Sequence, residues 1–272
     1  MARAKRSLGQ NFLVDTGVQD RIVQALDLHT DDDVFEIGPG RGALTLRIAG
    51  HVRHLFAVEL DDTLAATLQN TFSGDESVSI IHANALDIDA ATLVHDVSTL
   101  KVVGNIPYNI TSPLIFHLLA RERRPSFIVI MVQKEVAQRI AAAPGSGEYG
   151  ALSVGVQSVA TVERLFHVGR GAFRPVPNVD STVLRITPVR PFPLDAREEA
   201  DLRSLTHAAF QWRRKQLQKT LRASPAYSLD AASVHEIQAE TGIDLERRPE
   251  TLSPHDLLRL SRALRRRDHG SR

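Results

Sequence analysis

The fold is decided by one stretch, Val34-Phe-Glu-Ile-Gly38-Pro-Gly40-Arg-Gly42-Ala-Leu-Thr45. It passes from a short apolar run through closely spaced glycines into a helical pattern, which predicts a strand, a tight turn and a helix. Glycine allows positive φ angles and lets a ligand approach the backbone closely. In open α/β sheets, ligands bind outside the carboxyl ends of the strands. The stretch therefore predicts a ligand site at this turn.

Strand and helix patterns alternate along the chain around this stretch. Repeated alternation of apolar strands with helices indicates a parallel sheet covered on both faces, which is an α/β fold. Strands are predicted at Val34–Ile37, Leu55–Val58, Val78–Ile81, Val102–Val103 and Phe127–Val132, and helices at Ala43–Ala49, Thr63–Thr71, Ala90–His95 and Ser112–Ala120. Two further strands, Ala160–Val168 and Thr182–Ile186, are predicted as an antiparallel pair at one edge.

A proline-rich segment, Thr187-Pro-Val-Arg-Pro-Phe-Pro193, is typical of a linker. Every pattern beyond it is helical. The predicted helices are Arg197–Phe210, Arg213–Leu221, Ala231–Glu240 and Pro254–Arg265. We therefore predict an α/β domain over residues 1–190 and a small all-helical domain over residues 191–272.

Composition places the chain among soluble globular proteins. It has 272 residues, of which 43% are hydrophobic and 24% are charged. No run approaches the roughly 18 apolar residues of a membrane helix, and the basic N-terminus has no apolar core behind it, so we predict neither a membrane span nor a secretory signal. Because the chain has no cysteine, disulfides and thiolate zinc sites are excluded, and we expect a cytoplasmic protein.

Charge is unevenly distributed although the net charge is only +1. Acidic residues concentrate between Asp31 and Asp96. Basic residues concentrate at Arg3–Arg6, Arg121–Arg124, Arg213–Lys215, Lys219, Arg222 and Arg265–Arg267. Segregated positive charge is what a nucleic-acid-binding protein of low net charge needs. Solvated helix faces are the alternative interpretation of each cluster.

The acids around the glycine turn indicate the ligand. Glu59 ends the next strand about 20 residues on, where an acid holds ribose hydroxyls of a nucleotide cofactor. The glycine spacing is Gly-x-Gly-x-Gly rather than the dinucleotide pattern, and Glu36 stands directly before it. A pyrophosphate prefers bare amides at a helix N-terminus, whereas a positively charged sulfonium tolerates a carboxylate. The pattern favours S-adenosylmethionine over NAD, with a merely structural turn as the alternative.

The segment Asn105-Ile-Pro107-Tyr108 follows the fourth strand and faces the same crevice. An exocyclic adenine amine is a poor nucleophile because its lone pair is delocalised into the ring. An Asn oxygen and a backbone carbonyl that hold the amine hydrogens favour a pyramidal nitrogen, and Pro107 fixes the backbone that aims such a carbonyl. Tyr108 offers a flat face to a flipped-out base. The segment predicts methylation by positioning, without a metal or a nucleophilic residue; an ordinary turn after a strand is the alternative.

Together with two further motifs, these segments resemble the ribosomal RNA adenine dimethyltransferase family of the KsgA type. The four motifs are Gly9-Gln-Asn-Phe-Leu13, Glu36-Ile-Gly-Pro-Gly40, Asn105-Ile-Pro-Tyr-Asn-Ile-Thr111 and Phe173-Arg-Pro-Val-Pro-Asn-Val-Asp-Ser181. They occur in the family's order over residues 9–181. The resemblance implies a Rossmann-like S-adenosylmethionine-dependent methyltransferase sheet followed by a helical C-terminal domain.

The resemblance also implies residue roles. Phe173 would form the wall of the target-base pocket opposite Tyr108, which gives a catalytic set of Asn105, Pro107, Tyr108 and Phe173. The family usually has an Asp after the third strand; here Asn84 occupies that place, with Asp87 as a candidate substitute three residues on. The implied cofactor-binding residues are Asn11, Leu13, Gly38, Glu59, Asn84 and Asn105.

The activity implied is dimethylation of two adjacent adenosines in the 3′-terminal hairpin of small-subunit ribosomal RNA, by a monomer that binds the small ribosomal subunit. The spacing of Arg214, Gln218 and Arg222 predicts a helical face that follows a phosphate backbone, with Lys215 and Lys219 alongside.

Three other functions are alternatives: a macrolide-resistance methylase of large-subunit RNA, a ribosome-assembly checkpoint and an NAD-dependent oxidoreductase. Tyr108, where the macrolide-resistance enzymes often carry Phe, favours the small-subunit activity. An intact Asn105–Tyr108 segment favours catalysis over a pure checkpoint role, although one protein can have both. The oxidoreductase is disfavoured by the glycine spacing.

Overall fold

The computed structural model describes residues 10–107, 110–119, 123–189 and 194–270. Within them the chain forms two compact units. The first contains the described residues up to Ala137 together with Thr161–Pro188, and the second contains Gln138–Ala160 and the described residues from Val189 onward.

The segment Gln138–Ala160, which the sequence prediction assigned to the α/β domain, belongs to the helical unit. Tyr149 shows why. Its side chain is fully buried, its hydroxyl donates to the Leu252 carbonyl at 2.9 Å, and its ring meets the Phe210 ring edge-on at 6.0 Å between centroids. The segment therefore completes the core of the helical unit.

The first unit is built on a seven-stranded sheet with the order β4-β3-β2-β5-β6-β9-β7. Strands β2 to β6 run parallel where they pair, and β9 is antiparallel to β6. The strands are β1 (Phe12–Leu13), β2 (Asp33–Ile37), β3 (His54–Glu59), β4 (Val78–His82), β5 (Leu100–Asn105), β6 (Phe127–Gln133), β7 (Ala160–Val168), β8 (Phe173–Arg174) and β9 (Ser181–Pro188). The predicted α/β class and the predicted strands of this sheet are confirmed.

The helices flank this sheet and make up most of the second unit. They are α1 (Thr16–Ala25), α2 (Thr45–Ile48), α3 (Asp62–Thr71), α4 (Thr111–Leu119), α5 (Lys134–Ile140), α6 (Ala151–Gln157), α7 (Ala196–Gln211), α8 (Leu217–Ala223), α9 (Ala231–Thr241) and α10 (Pro254–Gly270). None of the helices in the described ranges combines the length and apolarity that crossing a membrane requires.

Burial explains the strand patterns. Every residue of β2 is buried, and β5 is buried up to Gly104, because both strands lie inside the sheet. Strand β7 forms the edge and keeps several side chains exposed. Gly104 pairs with Ile37 of β2 on one side and Ile130 of β6 on the other. This parallel register brings the carboxyl ends of β2, β3 and β5 to one edge of the sheet.

The predicted helix Ala90–His95 was wrong, since this segment forms only a short 3₁₀ turn at Ala90–Thr92. Asp89 accepts from the Ala91 amide at 3.2 Å through its carboxylate, and its carbonyl accepts from the Thr92 hydroxyl at 2.7 Å. Short polar side chains that bond nearby groups in this way compete with helix formation.

The predicted helix Arg213–Leu221 begins only at Leu217. Its first predicted residues form the turn after α7, where Arg213 pairs with Glu250 at 2.8 Å between Nε and Oε2. Arg214 and Lys215 therefore do not share a helical face with Gln218 and Arg222. Trp212, which directly follows α7, is 52% exposed.

Candidate active site

The glycine turn after β2 has the backbone that its sequence predicts. Gly38, Gly40 and Gly42 have φ angles of 66°, 60° and 80°, a region that other residues rarely adopt. A Cβ added at Gly40 would lie 3.2 Å from the Phe12 ring, whereas one at Gly38 would meet nothing within 4 Å. The backbone at Gly38 thus borders open space that a ligand can approach.

Glu59, the last residue of β3, closes the turn from the neighbouring strand. Its carboxylate accepts from the Gly40 amide at 2.9 Å through Oε2 and from the Asp61 amide at 2.9 Å through Oε1. Hydrogen bonds to a carboxylate favour its charged form. Each oxygen keeps a further lone pair that can accept from a ribose hydroxyl.

Glu36 is the second carboxyl group at the turn and is 1% exposed. Burial raises the pKa of the Glu36 carboxyl to about 7. Hydrogen bonding by the side chain and backbone of Thr45 acts against this rise, and the Glu59 charge adds to it. Its Oε2 has no hydrogen-bond partner among the described residues. The turn therefore holds one carboxyl group that is bonded to two amides, Glu59, and one that is buried with an unpartnered oxygen, Glu36.

Asn105, at the end of β5, is fixed by the segment before β1. Its Nδ2 donates to the Asn11 carbonyl at 3.0 Å. Since the amide nitrogen is used in this way, the Asn105 Oδ1 is the atom that can accept a hydrogen from a substrate amine.

The carbonyl of Pro107 is engaged at the start of α4. It accepts from the Ile110 amide at 3.2 Å and from the Thr111 hydroxyl at 3.3 Å. The Ile106 amide donates to the Met131 carbonyl at 3.1 Å. Because the Pro107 carbonyl is occupied, the neighbouring Ile106 carbonyl is the candidate acceptor, and Ile106 is a residue that the sequence reasoning did not single out.

Asn84 follows β4 and caps a 3₁₀ turn, with its Oδ1 accepting from the Leu86 amide at 3.1 Å. It lines the same cavity as Glu59, whereas Asp87 is exposed and does not line it. Among these two, Asn84 is the residue positioned for a cofactor contact.

One cavity of about 390 Å³ brings these groups together. This volume lies in the range of roughly 300–1,000 Å³ that is common for ligand sites. All six residues predicted to bind the cofactor line it, namely Asn11, Leu13, Gly38, Glu59, Asn84 and Asn105, and so does Pro107. Sequence reasoning missed Phe12 and Gln19, which also line it.

Both missed residues come from the segment around β1. The Phe12 ring stacks under the Arg41 guanidinium at 4.4 Å, and the Gln19 amide donates to the Leu13 carbonyl at 2.9 Å. Phe12 lies inside the Gly9–Leu13 motif, so this motif was the signal that could have identified it.

Phe173 departs from its predicted position. It is 1% exposed and belongs to the hydrophobic core, because β8 pairs with β1 and sets Phe173 opposite Leu13 with its side chain turned inward. In this structure Phe173 is a core residue and does not line the cavity. Tyr108, its predicted counterpart across a base, lies outside the described residues.

The lining fits S-adenosylmethionine. Two carboxyl groups suit a cofactor that carries a positive charge, one of them has a buried oxygen without a partner, and Gly38 leaves space beside its backbone. Glu59 and Asn84 can hold the ribose and the adenine respectively.

Comparison with known proteins gives the family. The model of the ribosomal RNA adenine dimethylase family matches residues 1–259. The chain is 42% identical to ribosomal RNA small subunit methyltransferase A of Pseudomonas fluorescens over 95% of this chain and 93% of that protein. It is 41% identical to the protein of the same name from Geobacter sulfurreducens over 96% and 95% of the two chains.

Two solved structures have a similar fold. A dimethyladenosine transferase from Plasmodium falciparum has a TM-score of 0.75 and 23% identity, over 92% of this chain and 95% of that chain. The 23S rRNA methyltransferase ErmE has a TM-score of 0.69 and 27% identity, over 94% and 100%. Because the family model matches nearly the whole length of this chain, the chain belongs to the ribosomal RNA adenine dimethylase family.

Proposed function

We propose that this chain transfers methyl groups from S-adenosylmethionine to the N6 amines of two adjacent adenosines in the 3′-terminal hairpin of small-subunit (16S) ribosomal RNA, during ribosome biogenesis. One observation carries the proposal: one cavity is lined both by the residues suited to the cofactor and by Asn105, Ile106 and Pro107 of the amine-binding segment. The names of relatives at 41–42% identity support the small subunit as the source of the RNA.

The cofactor-binding roles follow from the geometry of the cavity. Glu59, held in place by the Gly40 and Asp61 amides, accepts from the ribose hydroxyls. Asn84 contacts the adenine, and the open side of Gly38 admits the amino-acid end close to the backbone. Asn11 and Leu13 close the site from the segment around β1.

When bound, S-adenosylmethionine supplies an electrophilic methyl group on a positively charged sulfur. The residues of the chain hold the amine that receives it. Asn105 Oδ1 and the Ile106 carbonyl each accept one amine hydrogen, which favours a pyramidal nitrogen with its lone pair directed at the methyl group. Most of the rate enhancement comes from this alignment. Tyr108 stacks on the target base. Phe173 could stack on the other side of the base only if the core around β8 opened.

A large-subunit RNA substrate is the second candidate, because the ErmE structure resembles this chain over 94% of its length at 27% identity. The small-subunit relatives are more similar, at 41–42% identity. A role as an assembly checkpoint is compatible with catalysis and is separated from it by the assay that follows.

Methylation is expected on small subunits that lack the modification. The purified chain is incubated with labelled S-adenosylmethionine and undermethylated small subunits, and in parallel with large subunits, and the labelled nucleosides are mapped by mass spectrometry. We expect dimethyladenosine at two adjacent positions near the 3′ end of the small-subunit RNA. Label in large-subunit RNA alone would refute the proposal, and tight binding of small subunits without label would establish the checkpoint role.

Contact with RNA is proposed for the helical unit, over residues 191–272. The side chains around the turn from α7 to α8 are exposed and basic, with Arg214 and Lys215 in the turn and Lys219 and Arg222 on α8. The Lys215 ammonium lies over the exposed Trp212 ring at 4.5 Å. This basic surface follows a phosphate backbone without depending on a continuous helical face.

Reversal of charge on this surface is expected to weaken RNA binding. For Arg214→Glu and for Lys219→Glu, the plot of log affinity against log salt concentration should become shallower by about 0.7 to 0.9, since each change removes one phosphate contact. Binding to small-subunit RNA is measured between 50 and 200 mM salt, about the range over which such contacts weaken strongly. The matched control is Arg164→Glu, an exposed arginine on the edge strand β7. Equal slopes for all three variants would exclude this surface.

A further inference from the structure

Glu36 is a buried carboxyl group that the proposed mechanism does not use. It lines the cofactor cavity, is 1% exposed, and its Oε2 has no hydrogen-bond partner among the described residues. A buried polar atom without a partner costs free energy, about 1–3 kcal/mol for an ordinary group and more for a charged one. Such an atom beside a cavity points to a ligand or to a change of charge state.

The charged groups around Glu36 set its state in the empty cavity. Glu59 faces it from β3, where its carboxylate accepts from the Gly40 and Asp61 amides. Asp61 accepts from the Thr63 and Leu64 amides at the start of α3. From the glycine turn, Arg41 directs its guanidinium over the Phe12 ring. Within the described part of the cavity lining, Glu36, Glu59 and Arg41 are the residues with ionisable side chains.

Glu36 and Glu59 have different local environments. The Glu59 carboxylate accepts from two amides, whereas the Glu36 carboxyl is buried with one oxygen that has no partner among the described residues. Burial raises the pKa of Glu36 to about 7 against the hydrogen bonding of Thr45, and the Glu59 charge adds to the rise. A buried carboxyl group with an unpartnered oxygen is more stable with its proton than without it.

The charge of the ligand decides whether Glu36 keeps its proton. S-adenosylmethionine has an ammonium, a carboxylate and a sulfonium, so its net charge is positive. S-adenosylhomocysteine, the product, has lost the sulfonium charge and is a zwitterion. Only the methyl donor adds net positive charge to the cavity, and a positive charge in a buried site favours ionisation of a nearby acid.

We propose that Glu36 distinguishes the methyl donor from the product by ionising: it is protonated in the empty site, releases its proton to solvent when S-adenosylmethionine binds, and is reprotonated when S-adenosylhomocysteine remains. In the first step the carboxyl O–H bond breaks, its electron pair stays on the oxygen and the proton goes to water. The inference rests on the proposed function, and it makes Glu36 a specificity-determining residue of the same site.

The release of this proton decides how the affinity for S-adenosylmethionine changes with pH. Because binding of S-adenosylmethionine releases a proton, its affinity rises with pH below the pKa of about 7 of the empty site and levels off above it. The rise is at most about tenfold per pH unit for one proton. Binding of S-adenosylhomocysteine releases no proton from Glu36, so its affinity stays nearly constant over the same range.

Calorimetry tests the inference without measuring catalysis. Binding of each ligand is titrated near pH 6.5 in buffers of different ionisation enthalpy, and the slope gives the protons released. We expect between about half a proton and one proton for S-adenosylmethionine and close to none for S-adenosylhomocysteine. Glu36→Gln, which keeps the shape of the protonated acid, should release none with either ligand. Glu163→Gln, at an exposed position on β7, is the matched control and should behave like the unmodified chain.

The outcomes separate this inference from the proposed function. If S-adenosylmethionine binds but releases no proton, or if both ligands release the same number, the role of Glu36 is refuted while the proposed function stands. Proton release that persists in Glu36→Gln also refutes it. If S-adenosylmethionine does not bind to the unmodified chain, the proposed function and the inference both fail.

Discussion

Replacement of Asn105 by alanine is expected to lower the rate of methyl transfer by at least ~100-fold while changing the affinity for S-adenosylmethionine by no more than about threefold. The Asn105 Oδ1 is available to the substrate because Nδ2 is bound to the Asn11 carbonyl at 3.0 Å. Without this oxygen, one amine hydrogen loses its acceptor and the nitrogen is no longer aligned with the methyl group. The cofactor keeps Glu59, Asn84 and the glycine turn.

Two measurements distinguish these effects. The rate is taken from single turnovers with saturating cofactor and undermethylated small subunits, and the affinity is taken from calorimetry with the cofactor alone. Asn70→Ala, at an exposed position on α3, controls for the substitution itself. A loss of affinity as large as the loss of rate would make Asn105 mainly a cofactor residue. An unchanged rate would remove it from the mechanism.

The site residues that could be predicted from sequence lie at the ends of strands or directly after them. Gly38, Glu59, Asn84 and Asn105 each follow or end a parallel strand, and parallel strands bring their carboxyl ends to one edge of the sheet. A correct prediction of β2, β3, β4 and β5 therefore placed all four residues around one crevice before any distance was known. This is why the cavity contains every predicted cofactor residue.

What could not be predicted depends on pairing between distant segments. The two-residue strands β1 and β8 are too short to give a periodic pattern, yet their pairing buries Phe173 against Leu13 and brings Phe12 under Arg41. The pairing partners are about 160 residues apart in sequence, and no local propensity specifies such a contact. The resemblance to the family identified both motifs but not which side of the pair faces the cavity.

The basic surface of the helical unit shows a second limit. Four-residue spacing predicted one continuous helix from Arg213, but Arg213 instead turns toward Glu250 and accompanies a break before Leu217. Tertiary ion pairing of this kind overrides helical periodicity. The exposure of Arg214 and Lys219 nevertheless agrees with a surface that can contact RNA.

Replacement of Glu59 by glutamine is expected to weaken binding of S-adenosylmethionine by roughly 10- to 100-fold, because hydrogen bonds to charged groups contribute about 1.5–3 kcal/mol. The Glu59 carboxylate has two oxygens that accept from the Gly40 and Asp61 amides, and each keeps a lone pair for the proposed bond to a ribose hydroxyl. Glutamine has only one acceptor oxygen, so it cannot keep both amides and bind the hydroxyls as well. Glu76→Gln, at an exposed position before β4, is the control.

Because the ribose is common to methyl donor and product, Glu59→Gln should weaken S-adenosylmethionine and S-adenosylhomocysteine by the same factor. Calorimetry at a temperature well below the unfolding midpoint of the variant measures both affinities, and a constant ratio between them is the expected result. Glu36→Gln should instead change that ratio, since only the methyl donor brings a net positive charge. We therefore expect the two carboxyl groups to contribute differently, Glu59 to recognition of the nucleoside and Glu36 to the response to the charge on sulfur. If the ratio of the two affinities changes in Glu59→Gln, or if neither affinity changes, the role expected for Glu59 is contradicted.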